Sequence, residues 1–275
     1  MTGYRRAPVC RTLGISRATA YRGLAPRGPR YARPDDRLVR ARIRRVLKTR
    51  GSYGYRRVTA LVNREFGVRY NAKRIRRVME LNAWTLPRPS KRTTGRAHTG
   101  RVARAASNER WCSDTLEVPC WNGEVVELGV ALDCADREWL AYVAAARPLS
   151  GADIRTLMTD AVRARFGAER PPGPLEWLSD NGPIYTALET VIRAEQLGLT
   201  TITTPAYSPQ SNGLAEAFVH TLRRDYLAGA DLASAAVLLA QLPAWQADYN
   251  GVAPHSALGY RAPHEYRAAL AQEQG

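Results

Sequence analysis

Apolar residues recur at helical spacing in the first third of the chain and alternate as in strands further on. Leu38, Val39, Ile43, Val46 and Leu47 repeat every three to four residues and predict a helix. Gly51-Ser52-Tyr53-Gly54-Tyr55 interrupts it, and Val58, Leu61 and Val62 mark a second helix that Gly67 ends. Asn71 suits the N-cap of a third helix, which buries Ile75, Val78 and Met79 and leaves Lys73, Arg74, Arg76 and Arg77 outward, a basic face expected to contact a DNA groove or backbone. Residues 36–84 therefore read as a helical module. Upstream, within residues 1–30, Val9 to Leu13, a turn at Gly14 and a Ser16-capped segment at 17–22 suggest a small helix-turn-helix; a basic arm fits the same residues. Residues 85–108 are rich in Pro, Ser, Thr, Gly, Ala and Arg without periodicity, as in an extended linker.

From residue 109 the texture changes. Residues 111–118 and 124–134 are strand candidates joined through Trp121-Asn122-Gly123, an Asn-Gly hairpin turn. Residues 138–146 form a third. Ser150 with Asp153 starts a helix that keeps Ile154, Leu157, Met158, Ala161 and Val162 on one side. A short buried strand at 174–178, a helix at 184–197, a strand at 199–203 and helices at about 211–228 and 231–249 follow. The order β-β-β-α-β-α-β-α-α describes an α/β domain over 109–270, with a mixed sheet covered by helices. Pro254 and Pro263 shape a turn-rich tail expected to pack on that core.

Charge divides the chain at the same place. Residues 1–110 hold 30 Lys+Arg and 5 Asp+Glu, whereas residues 111–275 hold 11 and 20. The first part can neutralise phosphates and release counterions. The second part cannot bind a polyanion by bulk charge unless something cancels its carboxylates. The four cysteines, Cys10, Cys112, Cys120 and Cys134, have neither C-x-x-C nor finger spacing and read as reduced, buried thiols. With no signal peptide and no apolar run of spanning length, a soluble cytoplasmic protein with no membrane partner is expected.

Three carboxylates stand out. Asp114 lies in the strand-like run Trp111-Cys112-Ser113-Asp114-Thr115; Asp180 ends a strand and opens the turn Asn181-Gly182; Glu216 lies one turn into a helix, with 35 residues between it and Asp180. Hard oxygen donors from two strands and a helix suit two divalent ions for phosphoryl transfer. Val219, His220 and Arg223 share the face of Glu216, while Phe218 and Leu222 form its core stripe. Asn212 either caps that helix or touches DNA.

These residues carry a family resemblance. WCSDTLE at 111–117, ALDCADRE at 131–138, WLSDNGPIY at 177–185, SPQSNGLAEAFVHTLRRDYL at 208–227, PHSALGYRAPHEY at 254–266 and the basic SYGYRRVTALVNREFGV at 52–68 resemble the second-frame (OrfB) transposases of bacterial insertion sequences. Those belong to the DDE transposase/retroviral integrase superfamily. The resemblance spans roughly residues 7–268. It implies a ribonuclease-H-like integrase core preceded by helix-turn-helix modules. It also implies metal-dependent DNA cleavage and strand transfer with two Mg²⁺ (or Mn²⁺) ions on Asp114, Asp180 and Glu216. Asp133 is then a structural acid and Arg223 a phosphate contact. Partners implied are element terminal repeats and target DNA, a homo-oligomer on DNA in the nucleoid, and an upstream-frame subunit or fusion. The rival functions are a non-catalytic DNA-binding regulator, an incomplete downstream frameshift product, and a stand-alone ribonuclease-H-like nuclease.

Overall fold

The computed structural model describes residues 6–14, 16, 33–87, 106–204 and 213–274. The second half of the upstream helix-turn-helix, most of the linker and Asn212 lie outside the described residues. A first helix, α1 (Arg6–Thr12), ends in a turn where Gly14 adopts φ +61°.

The helical module consists of α2 (Asp36–Leu47), α3 (Tyr55–Glu65) and α4 (Ala72–Leu81). Their apolar stripes meet in one core of Val39, Ile43, Val46, Val58, Val62, Ile75, Val78 and Met79. Asn71 caps α4 by accepting the Lys73 N–H at 2.8 Å.

The second domain is built on a five-stranded sheet ordered β3-β2-β1-β4-β5. The hairpin strands β1 (Arg110–Pro119), β2 (Val125–Asp133) and β3 (Trp139–Ala145) pair antiparallel. On the other side of β1, β4 (Leu175–Ser179) and β5 (Leu199–Thr203) run parallel to it. Such pairing needs crossover connections, and helices supply them. α5 (Gly151–Phe166) opens on a complete capping box of Ser150 and Asp153 and closes on left-handed Gly167. The helix expected over 184–197 is two pieces, α6 (Pro183–Thr186) and α7 (Leu188–Gln196), broken at extended Ala187. The break lets Tyr185 stay buried beside Ser113, with 2.9 Å between their hydroxyls.

Strand alternation sorts the two faces. Trp111, Leu175 and Trp177 point to α5 and α7; Cys112, Leu116 and Leu178 point to α8 (Gly213–Asp225) and α9 (Ala235–Gly251). The tail is more regular than its prolines suggested. A short 3₁₀ turn at Ser256–Leu258 leads into α10 (Pro263–Gln274), with Pro263 at the first helical position and Glu265 accepting the Ala262 N–H at 2.8 Å.

One buried ionic cluster closes the sheet's lower edge. Arg165 of α5, side chain 1% exposed, meets Asp136 and Glu138 and lies 3.5 Å from Asp133. Its Nε donates to Asn108 at 2.7 Å, and Arg267 of α10 joins at Glu138. Asp133 accepts N–H bonds from Asn108, Trp111, Ala135 and Asp136. Burial and the neighbouring charge of Asp136 push its carboxyl up from the usual range. Arg165→Ala would strand these carboxylates and is expected to cost about 3 kcal/mol or more. Urea denaturation followed by circular dichroism reads that loss.

Candidate active site and nucleic-acid interface

The parallel register of β1 on β4 pairs Trp111 with Trp177 and Cys112 with Leu178. The same offset carried two residues on sets Asp114 level with Asp180, just past the end of β4. Both acids are even-numbered with Cys112 and Leu178, so both fall on the face covered by α8. Glu216 stands in the first turn of α8, exposed, while Ala215, Phe218 and Leu222 anchor that helix to the sheet. The two Asp carboxylates are held by local backbone. Asp114 Oδ1 accepts the Thr115 N–H at 2.9 Å, and Asp180 Oδ1 accepts the Gly182 N–H at 3.0 Å. A Cβ at Gly182 would stand 2.9 Å from Asp180 Oδ1, so any larger residue here would push the Asp180 carboxylate out of its present position. Asn181 fixes the turn from outside by donating to the Thr204 carbonyl at 2.7 Å.

The three acids share one field. Burial raises the Asp114 carboxyl to about 6; the Thr115 N–H opposes this, the negative charges of Asp180 and Glu216 add to it, and Arg223 opposes it. Among the described residues, no three His, Cys, Asp or Glu side chains are closed around a common point. The donor chemistry nevertheless fits a hard divalent cation. It is a set of carboxylates facing one side of a sheet, one of them half-buried and raised by its neighbours, with Arg223 the cation that offsets it. Asp133 does not belong to this group, because its oxygens are already committed to four N–H donors.

The basic residues of α4 divide. Lys73 is exposed. Arg74 and Arg77 instead pair with Asp36, at 3.4 and 2.7 Å, and Arg76 pairs with Glu80 at 2.8 Å. Arg77 is 12% exposed rather than outward, because buried Asp36 needs a counter-charge. Burial works against ionised Asp36, but the Arg33 N–H and the Arg77 guanidinium outweigh it and hold the carboxyl below its usual range. A stripe of exposed charge lies on α2, where Arg37, Arg40, Arg44 and Lys48 line an open concavity of about 480 Å³. Their spacing of three and four residues was visible in the sequence, on the face opposite Val39, Ile43 and Val46.

The five-stranded mixed sheet and the helix pairs on its two faces form an integrase-type core behind a helix-turn-helix-like module. Comparison with known proteins agrees. The Integrase core domain family matches residues 104–209 and, through a second family of the same description, residues 197–263; an HTH-like domain matches residues 33–92. The chain is 43% identical over 244 residues to the Escherichia coli transposase InsD for insertion element IS2A/D/F/H/I/K, covering 87% of this chain and 81% of that protein. The transposase InsD for insertion element IS2-9 of E. coli strain K12 matches at the same identity, with 80% of it covered. In fold, a chain of the simian T-cell lymphotropic virus intasome, solved with a PP2A regulatory subunit, superposes with a TM-score of 0.50 at 16% identity, over 76% of this chain and 69% of that one. The chain belongs to the insertion-sequence transposases of the DDE transposase/retroviral integrase superfamily. It is a DNA transposase, a polynucleotidyl transferase by class.

Asp114 supplies a pH test that needs no DNA. Its carboxyl titrates near 6 in the folded protein, against about 3.9 unfolded. A raised acid pKa means that stability is complete below about pH 4 and falls as pH climbs to 6. Asp114→Asn cannot ionise, so in EDTA it is expected to be more stable than the natural protein above pH 6, by about 1–2 kcal/mol. The advantage should vanish below pH 4. Urea denaturation across pH 3.5–8 measures it, and added Mg²⁺ should narrow the gap at pH 8.

Proposed function

We propose that Asp114, Asp180 and Glu216 are the catalytic carboxylates of this transposase and the ligands of two Mg²⁺ or Mn²⁺ ions. The observation that carries the proposal is the Asp114 carboxyl, raised by burial and by the charges of both other acids. Bound ions would supply charge neutralisation and an activated oxygen nucleophile for in-line displacement at phosphorus. The chain's own residues do the positioning. The Thr115 and Gly182 N–H groups orient the two Asp carboxylates on a rigid sheet, and packed Phe218 and Leu222 hold the helix that presents Glu216. Arg223, exposed two turns beyond Glu216 on the same face, meets a DNA phosphate. Water as nucleophile frees a 3′ end of the element; that 3′-hydroxyl as nucleophile joins it to target DNA. No covalent protein–DNA bond is needed.

The helical module binds the element's terminal repeats. Lys73 and the α2 stripe supply phosphate contacts, while Arg74, Arg76 and Arg77 shape the module around Asp36 and Glu80. Asn212 is assigned to DNA from the sequence alone. The active form is a homo-oligomer on DNA, with an upstream-frame subunit or fusion as a further partner. A non-catalytic regulator is the competing reading.

The experiment that separates the two is incubation with supercoiled donor DNA bearing the element ends and Mg²⁺. Asp180→Asn keeps the shape but removes a negative charge, so cleavage and strand transfer are expected to fall by about two orders of magnitude or more. End binding should persist. Asp160→Asn, exposed on α5, is the control; Asp133 is unsuitable, since its network supports the fold. Near-original cleavage by Asp180→Asn would refute the assignment.

Binding has its own signature. Replacing Arg37, Arg40, Arg44 and Lys48 by Ala is expected to flatten the salt dependence of end binding, by about 0.9 in log–log slope for each phosphate left without its cation. Helix content should stay constant. An unchanged slope, read by fluorescence anisotropy from 50 to 200 mM salt, would make α2 a merely solvated face.

A further inference from the structure

Between the helical module and the core runs a groove of about 520 Å³. The N-terminal turn of α3 forms one wall, with Arg56 and Arg57; α8 forms the floor, with Thr221 and Arg224; the Pro254–Tyr260 turn forms the other wall, with Ser256 at its edge. Thr221, His255 and Ser256 are shared with an adjoining cavity of about 260 Å³, which Arg137 and Cys112 also line. That cavity runs beneath α8, along the side of the helix turned away from Glu216. Leu214, Ala217 and Thr221, which share one face of α8, line it, with Cys112 of β1 at its base.

The charge of this passage is one-sided. Four arginines line it, and among the described residues no acid lines the groove. Asp133, the acid of the adjoining cavity, is saturated by N–H donors. Behind the floor, Asp225 has a fully buried side chain and is shared among Ser52, Arg57 and Arg224. Arg56 is exposed, and its Nε donates to the Tyr55 hydroxyl at 3.2 Å. The Nε atoms of Arg57 and Arg137 are buried and have no hydrogen-bond partner among the described residues, so it is the exposed guanidinium of Arg56 and that of Arg224 that face the groove.

We propose that this groove seats the phosphodiester backbone of one DNA strand where it passes between the helical module and the core. The inference rests on the transposase reading above and adds the path between its two parts. It also gives the Pro254–Tyr260 turn a role: His255 packs edge-on against Tyr249 at 4.5 Å and sets Ser256 at the groove edge. The basic linker at 88–105, which follows Leu86 of the groove wall, carries the charge of the groove itself and so is a poor occupant.

Two measurements on the full chain test this. Ser256→Cys, carrying an azidophenacyl group, is bound to a labelled duplex of the element's terminus and irradiated; the natural cysteines are buried and should not react. Crosslinking to DNA is expected from Ser256→Cys and not from Thr156→Cys, exposed on α5 across the sheet. Equal yields from the two positions, or a crosslink from Ser256→Cys to the linker peptide instead of DNA, overturn the proposal. In the second measurement, Arg56→Ala with Arg224→Ala should slow cleavage about tenfold or more at saturating DNA, because the strand is misplaced, with a smaller change in end affinity and unaltered circular dichroism. Unchanged cleavage by that variant overturns the groove and leaves the catalytic reading standing. Cleavage surviving in Asp180→Asn, with crosslinking at Ser256→Cys intact, would sink the catalytic reading and keep the groove.

Discussion

The parallel pairing of β1 with β4 is the constraint on which the rest depends. An antiparallel neighbour needs only a hairpin, but a parallel one needs a crossover, so α5 must span from β3 to β4. In return, the crossover delivers a strand end beside the middle of β1. With Cys112 opposite Leu178, Asp114 and Asp180 come level without any loop having to fold precisely. The sheet's period of two then sends both side chains to the same face, the one that α8 covers and on which Glu216 arrives. A one-residue slip between the strands would turn one acid to the α5 face, among Trp111, Leu157 and Trp177.

Acid chemistry in this protein is decided by surroundings rather than by residue type. Asp133 and Asp114 lie on adjacent strands and both feel burial raise their carboxyls. Asp133 gives its oxygens to four N–H groups and sits beside Arg165. Asp114 has one N–H and two neighbouring carboxylates. The first arrangement is saturated and stabilises a strand end. The second is under-compensated, a condition that favours a cation. Asp225 and Asp248 show a third use: they receive Arg57 and Arg50 of the helical module and dock it on the core.

Much of this was legible in the chain. The apolar stripes of α2 to α4, the Asn122-Gly123 turn and the Ser150–Asp153 box are local signals, and local signals survive folding. The motif order around Asp114, Asp180 and Glu216 pointed to the integrase-type core for the same reason. What was not legible depends on distant partners. No pattern near Arg77 says that Asp36, 41 positions away, will hold it inward. The break at Ala187 follows from Tyr185 reaching Ser113 across the sheet. Helix α10 was hidden because Pro263 resembles a breaker, although proline at the first helical position with a Glu two residues on is a start signal. Arg37, Arg40, Arg44 and Lys48 were obscured for a different reason: the tight run Lys73, Arg74, Arg76 and Arg77 on α4 draws the eye, and such a run does not distinguish paired from free.

The docking of the helical module bears on how binding and chemistry are joined. Its arginines grip α8 at Asp225 and α9 at Asp248, and Arg64 reaches the Val252 carbonyl at 2.8 Å and Glu265 at 2.6 Å. Asp225 is the last residue of the helix whose first turn carries Glu216. The Ser52 hydroxyl and the Arg57 guanidinium share the single Asp225 carboxylate with Arg224. A phosphate drawing on either arginine changes what holds that helix end. The docking of the module and the presentation of Glu216 thus share one helix, held at its C-terminal end by one buried carboxylate.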